Sequence, residues 1–199
     1  MTRVYPNSSN AIAAAPQKIK CSSDVGNQAV LTVWKKSLLF NCSGFTVFDA
    51  KGNLVFRVDN YMAGNKGEIV LMDAAGKPLL TIRRKRLSLG DNWLVYDGET
   101  AVNPRFSVRK QVNILNGKSL AHVSWAAGGK SSNQGRNCGV YDQKRKRVAE
   151  IKRKEAAVGG VALGGDVFRL IVDSDELDTP LAMALVILLD QMFGSFSRR

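Results

Sequence analysis

Two runs of consecutive cations are the groups best suited to hold a ligand: Arg83-Arg84-Lys85-Arg86 and Lys144-Arg145-Lys146-Arg147. Lys152-Arg153-Lys154 follows the second run, and Arg105, Arg109 and Lys110 form a third group. Clustered guanidinium and ammonium groups suit a polyphosphate headgroup or an anionic leaflet, at about 1 kcal/mol per residue near the surface. On a strand, alternate residues share a face, so Lys152 and Lys154 can point outward together. The competing reading is a solvated surface whose charges protect strand edges. Composition agrees with attraction to anions. There are 29 Lys and Arg against 17 Asp and Glu, a formal charge of +12 over 199 residues. A lipid surface, a nucleic acid and an acidic partner would each answer that charge. Specific nucleic-acid recognition is disfavoured, because no helix-turn-helix or zinc finger accompanies the clusters and no aromatics interleave them.

The residues that could do covalent chemistry form no constellation. His122 is the single histidine and shares a predicted strand face with Ser124, with no nucleophile elbow around either. It reads as a partly buried strand histidine, and one His builds no usual zinc site. Gly129-Lys130-Ser131 has the end of a phosphate-binding loop, but Ser124 stands where the pattern needs its first glycine. Cys21, Cys42 and Cys138 are odd in number and widely spaced, as expected of reduced thiols rather than a disulfide framework. Cys138 stands near Arg136, which would favour its thiolate, but a structural thiol is the simpler reading. Asp173, Asp175, Glu176 and Asp178 precede a predicted helix, where capping and dipole complementation account for them. The expectation is a non-enzymatic protein with no metal and no cofactor.

The elements that must position these groups are mostly strands. Residues 1–27 mix Pro, Ser, Asn and Ala without periodicity and are expected to be a flexible tail ahead of one domain over 28–199. From Ala29 to Val172, short apolar or β-branched runs recur between turn residues. They include Val30–Trp34, Phe45–Phe48, Leu54–Val58, Ile69–Met72, Leu79–Ile82, Trp93–Tyr96 and Val167–Val172. Asp49-Ala50-Lys51-Gly52 and Asp73-Ala74-Ala75-Gly76 are nearly one phrase, 24 residues apart. Each can turn a hairpin, the Asp bonding the backbone ahead and the Gly accepting positive φ. Tyr141-Asp142-Gln143-Lys144 starts a further hairpin, and Asn116-Gly117 is a two-residue turn signal after the run 112–115. Residues 126–137 read as a flexible surface loop. The pairs Gly159-Gly160 and Gly164-Gly165 suit a bulged strand or a close approach to the helix better than a phosphate cradle.

The C-terminal segment differs. Thr179 can cap a helix over about 180–193, with Pro180 in its first position and Gly194 ending it. The stretch Leu181-Ala182-Met183-Ala184-Leu185-Val186-Ile187-Leu188-Leu189 is apolar on every side. A surface helix would show a polar stripe. A membrane span needs about 20 apolar residues, and Asp190 interrupts after nine. Docking on a partner or a bilayer is the other alternative to burial within its own chain. Walls on all sides of Leu181, Leu185, Val186, Leu188 and Leu189 require the strands to close into a barrel, which also removes unpaired edges. Eight strands are about filled by their own side chains, so a larger barrel is needed, and the runs supply about eleven or twelve strands, which is adequate.

The ending Asp166-Val167-Phe168-Arg169-Leu170-Ile171-Val172, an acidic turn, then Leu181 to Gln191 resembles that of the LURP-one-related family of plant proteins. Leu31-Thr32-Val33-Trp34, Phe45-Thr46-Val47-Phe48 and Asp49-x-x-Gly52-x-Leu54-x-Phe56-x-Val58 carry the same resemblance, which spans roughly Ala29 to Phe193. It implies a Tubby C-terminal-like fold, a closed barrel of about twelve antiparallel strands around a hydrophobic C-terminal helix. It also implies kinship with phosphoinositide-binding Tubby proteins and phospholipid scramblases, and a link to plant defence. No lipid-binding motif of the Tubby proteins matches residue by residue, so none is carried over.

The resulting expectation is a mainly β binding or membrane-tethering module. Its anionic ligand, a phospholipid headgroup or membrane surface, would meet Arg83, Arg84, Lys85, Arg86, Lys144, Arg145, Lys146, Arg147, Lys152 and Lys154. The alternative is a protein-interaction or regulatory scaffold in plant defence signalling without a lipid role. The protein is expected as a monomer, cytoplasmic, nuclear or peripheral to a membrane, and not secreted.

Overall fold

The structure is a computed structural model that describes residues 28–39, 42–61, 67–85, 87–88, 90–100, 102–110, 119–125, 130–134, 138–153 and 166–193. The expected tail 1–27, Arg86, Lys154, the run 112–115 with its Asn116-Gly117 turn, Gly194 and the glycine pairs at 159–160 and 164–165 lie outside the described residues.

Twelve strands precede one helix. They are β1 (Gln28–Trp34), β2 (Cys42–Phe48), β3 (Leu54–Tyr61), β4 (Glu68–Asp73), β5 (Pro78–Arg84) and β6 (Asn92–Asp97). Then come β7 (Phe106–Lys110), β8 (Ser119–Trp125), β9 (Lys130–Gln134), β10 (Cys138–Tyr141), β11 (Arg147–Arg153) and β12 (Val167–Asp173). The helix α1 is Thr179–Phe193. Each strand pairs antiparallel with its sequence neighbours. β1 also pairs along its length with β12, from Gln28 opposite Asp173 to Trp34 opposite Val167. Its other edge pairs with β2, Thr32 opposite Phe48 and Trp34 opposite Thr46. The strand order therefore returns to its start as a closed barrel.

Period-two alternation decides what faces inward. Leu31 and Val33 of β1, Phe56 and Val58 of β3, Ile69 and Leu71 of β4, and Phe168, Leu170 and Val172 of β12 are all buried. They meet α1, whose residues Leu181 to Asp190 are buried without a break. The expected burial of Leu181, Leu185, Val186, Leu188 and Leu189 holds for each of them. Each such leucine withdrawn from water contributes about 1.5–3 kcal/mol. The wall gives the helix a solvent as apolar as itself, so it needs no polar stripe.

Because the strands run alternately up and down, the barrel has two rims. The upper rim is where α1 begins. It holds the turns 49–53, 74–77, 98–105, 142–146 and 174–178. The lower rim is where α1 ends. It holds the connections 35–41, 62–67 and 85–91, among others.

Three upper-rim hairpins share one construction. Asp49 N–H donates to the Asn53 carbonyl, Asp73 N–H to Lys77 and Asp142 N–H to Lys146. In each, the Asp carboxylate also accepts the N–H four residues on. The positive φ that closes each turn falls on Gly52 (85°), Gly76 (90°) and Arg145 (61°). The pairing slips by one residue beside each turn, between Val47 and Phe48, Leu71 and Met72, and Val140 and Tyr141. That is the bulge such a turn imposes. In the Asp49 turn, the Asn53 side-chain amide and the backbone N–H groups of Asn53 and Lys51 hold the carboxyl below its usual range.

The strand readings differ from the structure in one place. Lys130–Gln134, expected within a flexible loop, is β9, paired with β8 and β10. Its sequence, Lys-Ser-Ser-Asn-Gln, has no apolar alternation to announce a strand. Hydrogen bonds from both neighbours make it one. The helix start also moves. The Ala182 N–H donates to the Asp178 carbonyl. Asp178 is therefore the N-cap, not Thr179, and Pro180 sits one place later in the first turn.

Candidate functional site

The two long basic runs sit on opposite rims. Arg83 and Arg84 end β5, so they and Lys85 lie at the lower rim. Lys144, Arg145 and Lys146 form the turn before β11, so they and Arg147 lie at the upper rim. The third group is split likewise: Arg105 precedes β7 at the upper rim, while Arg109 and Lys110 end β7 at the lower. The helix between the rims has 15 residues, about 22 Å at 1.5 Å per residue. No single flat ligand surface meets both runs.

The upper rim mixes signs. Arg105 bridges Asp97 (3.0 Å) and Asp178 (3.2 Å). Lys146 bridges Glu176 (3.0 Å) and Asp173 (3.4 Å). Those hydrogen bonds, Glu176 first, raise the Lys146 pKa above the ordinary lysine value. The acidic group before the helix thus pairs with cations as well as capping the helix through Asp178. A depression of about 280 Å³ lies there, lined by Arg105, Ser174, Asp175, Glu176, Leu177, Asp178 and Leu181. Lys144 and Arg145 are exposed and form no ion pair among the described residues.

The lower rim is organised around the end of the helix. α1 has no basic residue in its last turn, although that end carries the negative pole of the helix dipole. The wall supplies the cations instead. Lys35 Nζ donates to Asp190 Oδ1 at 2.7 Å, and Asp190 is only 7% exposed. Lys110 Nζ donates to the Met192 carbonyl at 2.7 Å and lies 4.7 Å from the Phe193 ring centre. Nearby, the Ser37 hydroxyl donates to Asp59, which also accepts from Arg57 Nε at 2.7 Å. Gly44 makes this packing possible: a Cβ there would fall 1.8 Å from the Val58 carbonyl oxygen.

Of the lower-rim anions, Asp190 and Asp59 are thus committed to the fold. Glu68 lies 2.6 Å from Arg83 Nε, and Asp91 pairs with Arg84. Lys85 and Arg109 are exposed and form no ion pair among the described residues, and neither does Lys36. Lys36 Nζ stands 5.2 Å from the Trp34 ring centre. On the adjoining wall, Lys152 faces Arg169 across β11 and β12, and Arg169 faces Thr32. Arg147 and Lys152 share Glu150, each at 3.1 Å.

Several expectations about single residues change. His122 is exposed rather than partly buried, because Ala121 and Val123 take the inward positions of β8. It faces Arg109 across the ladder. Lys130 and Ser131 lie on a strand, which gives a phosphate no helix N-terminus. Sequence reasoning did not single out Trp34, Leu38 or Leu87, large apolar side chains that are 40%, 53% and fully exposed at the lower rim. Only Leu87's place beside the first basic run could have drawn attention to it. Exposure of an apolar residue has no signature in its type.

Among the described residues no helix is long and apolar enough to cross a membrane. The LURP-one-related family model matches residues 29–190. Among curated proteins, Arabidopsis thaliana protein LURP-one-related 8 is 54% identical, over 98% of this chain and 100% of its own length. LURP-one-related 17 of the same plant is 43% identical, over 87% of each chain. An X-ray structure of another Arabidopsis thaliana protein shares the fold with a TM-score of 0.59 at 21% identity, covering 82% of this chain and 90% of that one. The chain belongs to the LURP-one-related family.

Proposed function

We propose that the protein is a non-enzymatic binding module that tethers to anionic membrane surfaces, phosphoinositide headgroups included, through basic side chains of one barrel rim. Its place in the Tubby C-terminal-like superfamily, its kinship with scramblases and its link to plant defence are part of the same proposal. So is its residence in the cytoplasm or nucleus, or at a membrane periphery. One observation carries the reading. At the lower rim Asp59, Glu68, Asp91 and Asp190 each pair with a cation and Asp166 alone is exposed without an ion pair, while Lys36, Lys85 and Arg109 form none, all among the described residues. That leaves an unbalanced positive field. Arg83 and Arg84, paired with Glu68 and Asp91, precede Lys85, and Arg169 extends the cationic wall beside Lys152, which shares Glu150 with Arg147. The upper-rim group, Lys144 to Arg147, sits among Asp97, Asp175, Glu176 and Asp178, which weaken its field. The scaffold reading, binding a protein partner in defence signalling without lipid, remains the second reading. Its support is the family membership.

Co-sedimentation with phosphatidylcholine vesicles, with and without phosphatidylserine or a phosphoinositide, tests the proposal at low and high salt. Binding should need the anionic lipid and fall with salt. Lys85→Glu with Arg109→Glu should weaken it by about tenfold or more, given about 1 kcal/mol per surface cation. Equal affinity for neutral vesicles, or no binding at low salt, would overturn it in favour of a protein partner.

A further inference from the structure

We propose that the lower rim is a membrane-docking face whose apolar tips, Leu87, Leu38 and Trp34, enter the headgroup–acyl boundary of an anionic leaflet. This rests on the lipid reading above and adds an orientation and an apolar contribution that the cations alone do not supply.

Single exposed apolar side chains are ordinary on any protein surface. Three features set these apart. Leu87 is fully exposed and has a backbone φ of 62°. The left-handed region costs a non-glycine residue roughly 1–2 kcal/mol, and a fully exposed side chain recovers none of it by packing. Leu38 and Trp34 share the same rim, whereas Val102 is the large exposed apolar residue of the upper rim among the described residues. Finally, two of the tips have a cation beside them in space or in the chain: Lys36 over Trp34, and Lys85 two residues before Leu87. Apolar side chains flanked by cations match the layered chemistry of an anionic interface, with phosphates outside and acyl chains beneath. An indole, apolar in body and polar at one edge, favours the same depth.

The geometry allows simultaneous contact. β1 and β5 are four strand spacings apart around the wall, about 20 Å at 4.8 Å each. The loops after them project from the same rim, so both meet one flat surface. Separated tips of this kind suit a plane better than a groove. A nucleic acid would offer phosphates to the cations but nothing to the leucines.

The test compares wild type, a Leu38→Ser/Leu87→Ser variant and a Lys144→Glu/Arg145→Glu variant on phosphatidylcholine vesicles with and without phosphatidylserine. All the altered side chains are exposed, so circular dichroism and thermal midpoints should not change. The apolar variant should bind anionic vesicles about tenfold more weakly or worse, and the loss should persist at high salt. The upper-rim variant should stay within about twofold, since screened charges a barrel length away contribute little. Brominated acyl chains should quench tryptophan emission in wild type, and Trp34→Phe should remove the quenching. Normal binding to anionic vesicles by the apolar variant, without quenching in wild type, would overturn the docking face while leaving the lipid reading intact. A larger loss from the upper-rim variant would do the same. Failure of wild type to prefer anionic vesicles would overturn the lipid reading itself, and this inference with it.

Discussion

The two rims of one barrel are closed by different physics. The upper rim is built from local instructions. In three hairpins an aspartate bonds the backbone ahead, a residue with positive φ reverses the chain, and a bulge takes up the register. Its charges pair with one another at the surface, as Arg105 does with Asp97 and, across 73 positions, with Asp178. The lower rim is held by contacts between residues far apart in the chain. Lys35 reaches Asp190 across 155 positions, Lys110 reaches Met192 across 82, and Ser37 reaches Asp59 across 22. A rim assembled from local turns keeps its carboxylates at the surface, beside its cations. The lower rim spends Asp190 and Asp59 on the fold, and pairs Glu68 and Asp91 with Arg83 and Arg84. What then faces outward is cationic, with apolar tips between the charges. On the proposed lipid reading, the carboxylates drawn into the lower rim are one source of its positive surface.

That contrast is open to mutation, most severely at Gly44. A methyl group there collides with the backbone of β3, which no rotamer change relieves. Gly44→Ala should lower stability by about 3 kcal/mol or more, above the usual range for overpacking. Urea denaturation reads it, and a loss below half that figure would mean the two strands can separate cheaply. The next largest effect belongs to the helix pin. Lys35→Met leaves the Asp190 carboxylate buried without its cation, and should cost about 2 kcal/mol. Adding Asp190→Leu should recover most of the loss, as when a buried pair is replaced by apolar side chains. A double variant no more stable than Lys35→Met would show that the pin does more than neutralise a buried charge. The smallest effect is expected at the upper rim, where Arg145 holds the conformation that Gly52 and Gly76 adopt freely. Arg145→Gly should raise stability by about 0.5–1 kcal/mol, because relief of the left-handed strain exceeds the entropy added to the unfolded chain. A thermal melt that moved down would indicate that the Arg145 side chain is held by contacts in the folded protein.

Particular residues show how far the chain could be read before its fold was known. The Asp49 and Asp73 phrases announced their turns because Asp and Gly act within four residues of themselves. The run from Leu181 to Leu189 announced a buried helix because no polar stripe interrupts it. That demand, with the recurring apolar runs, was enough to call for a barrel. β9 was illegible, since Lys130 to Gln134 become a strand only between β8 and β10. The exposure of His122 follows from which neighbours turn inward, which the residue type does not state. The basic runs were visible as charge, but nothing in them said that Arg84 and Lys144 would stand at opposite ends.

What the amino-acid order settled by itself was local and apolar. It set the alternation of the strands, the hairpin turns and the need of an oily helix for walls. These follow from bonds and burial within a few residues. Tertiary structure alone decided which cations share a surface, which carboxylates are consumed in holding the helix end and which apolar side chains remain in water. Charge and exposure at a surface are sums over neighbours in space, and the up-and-down winding of twelve strands sends consecutive turns to opposite rims.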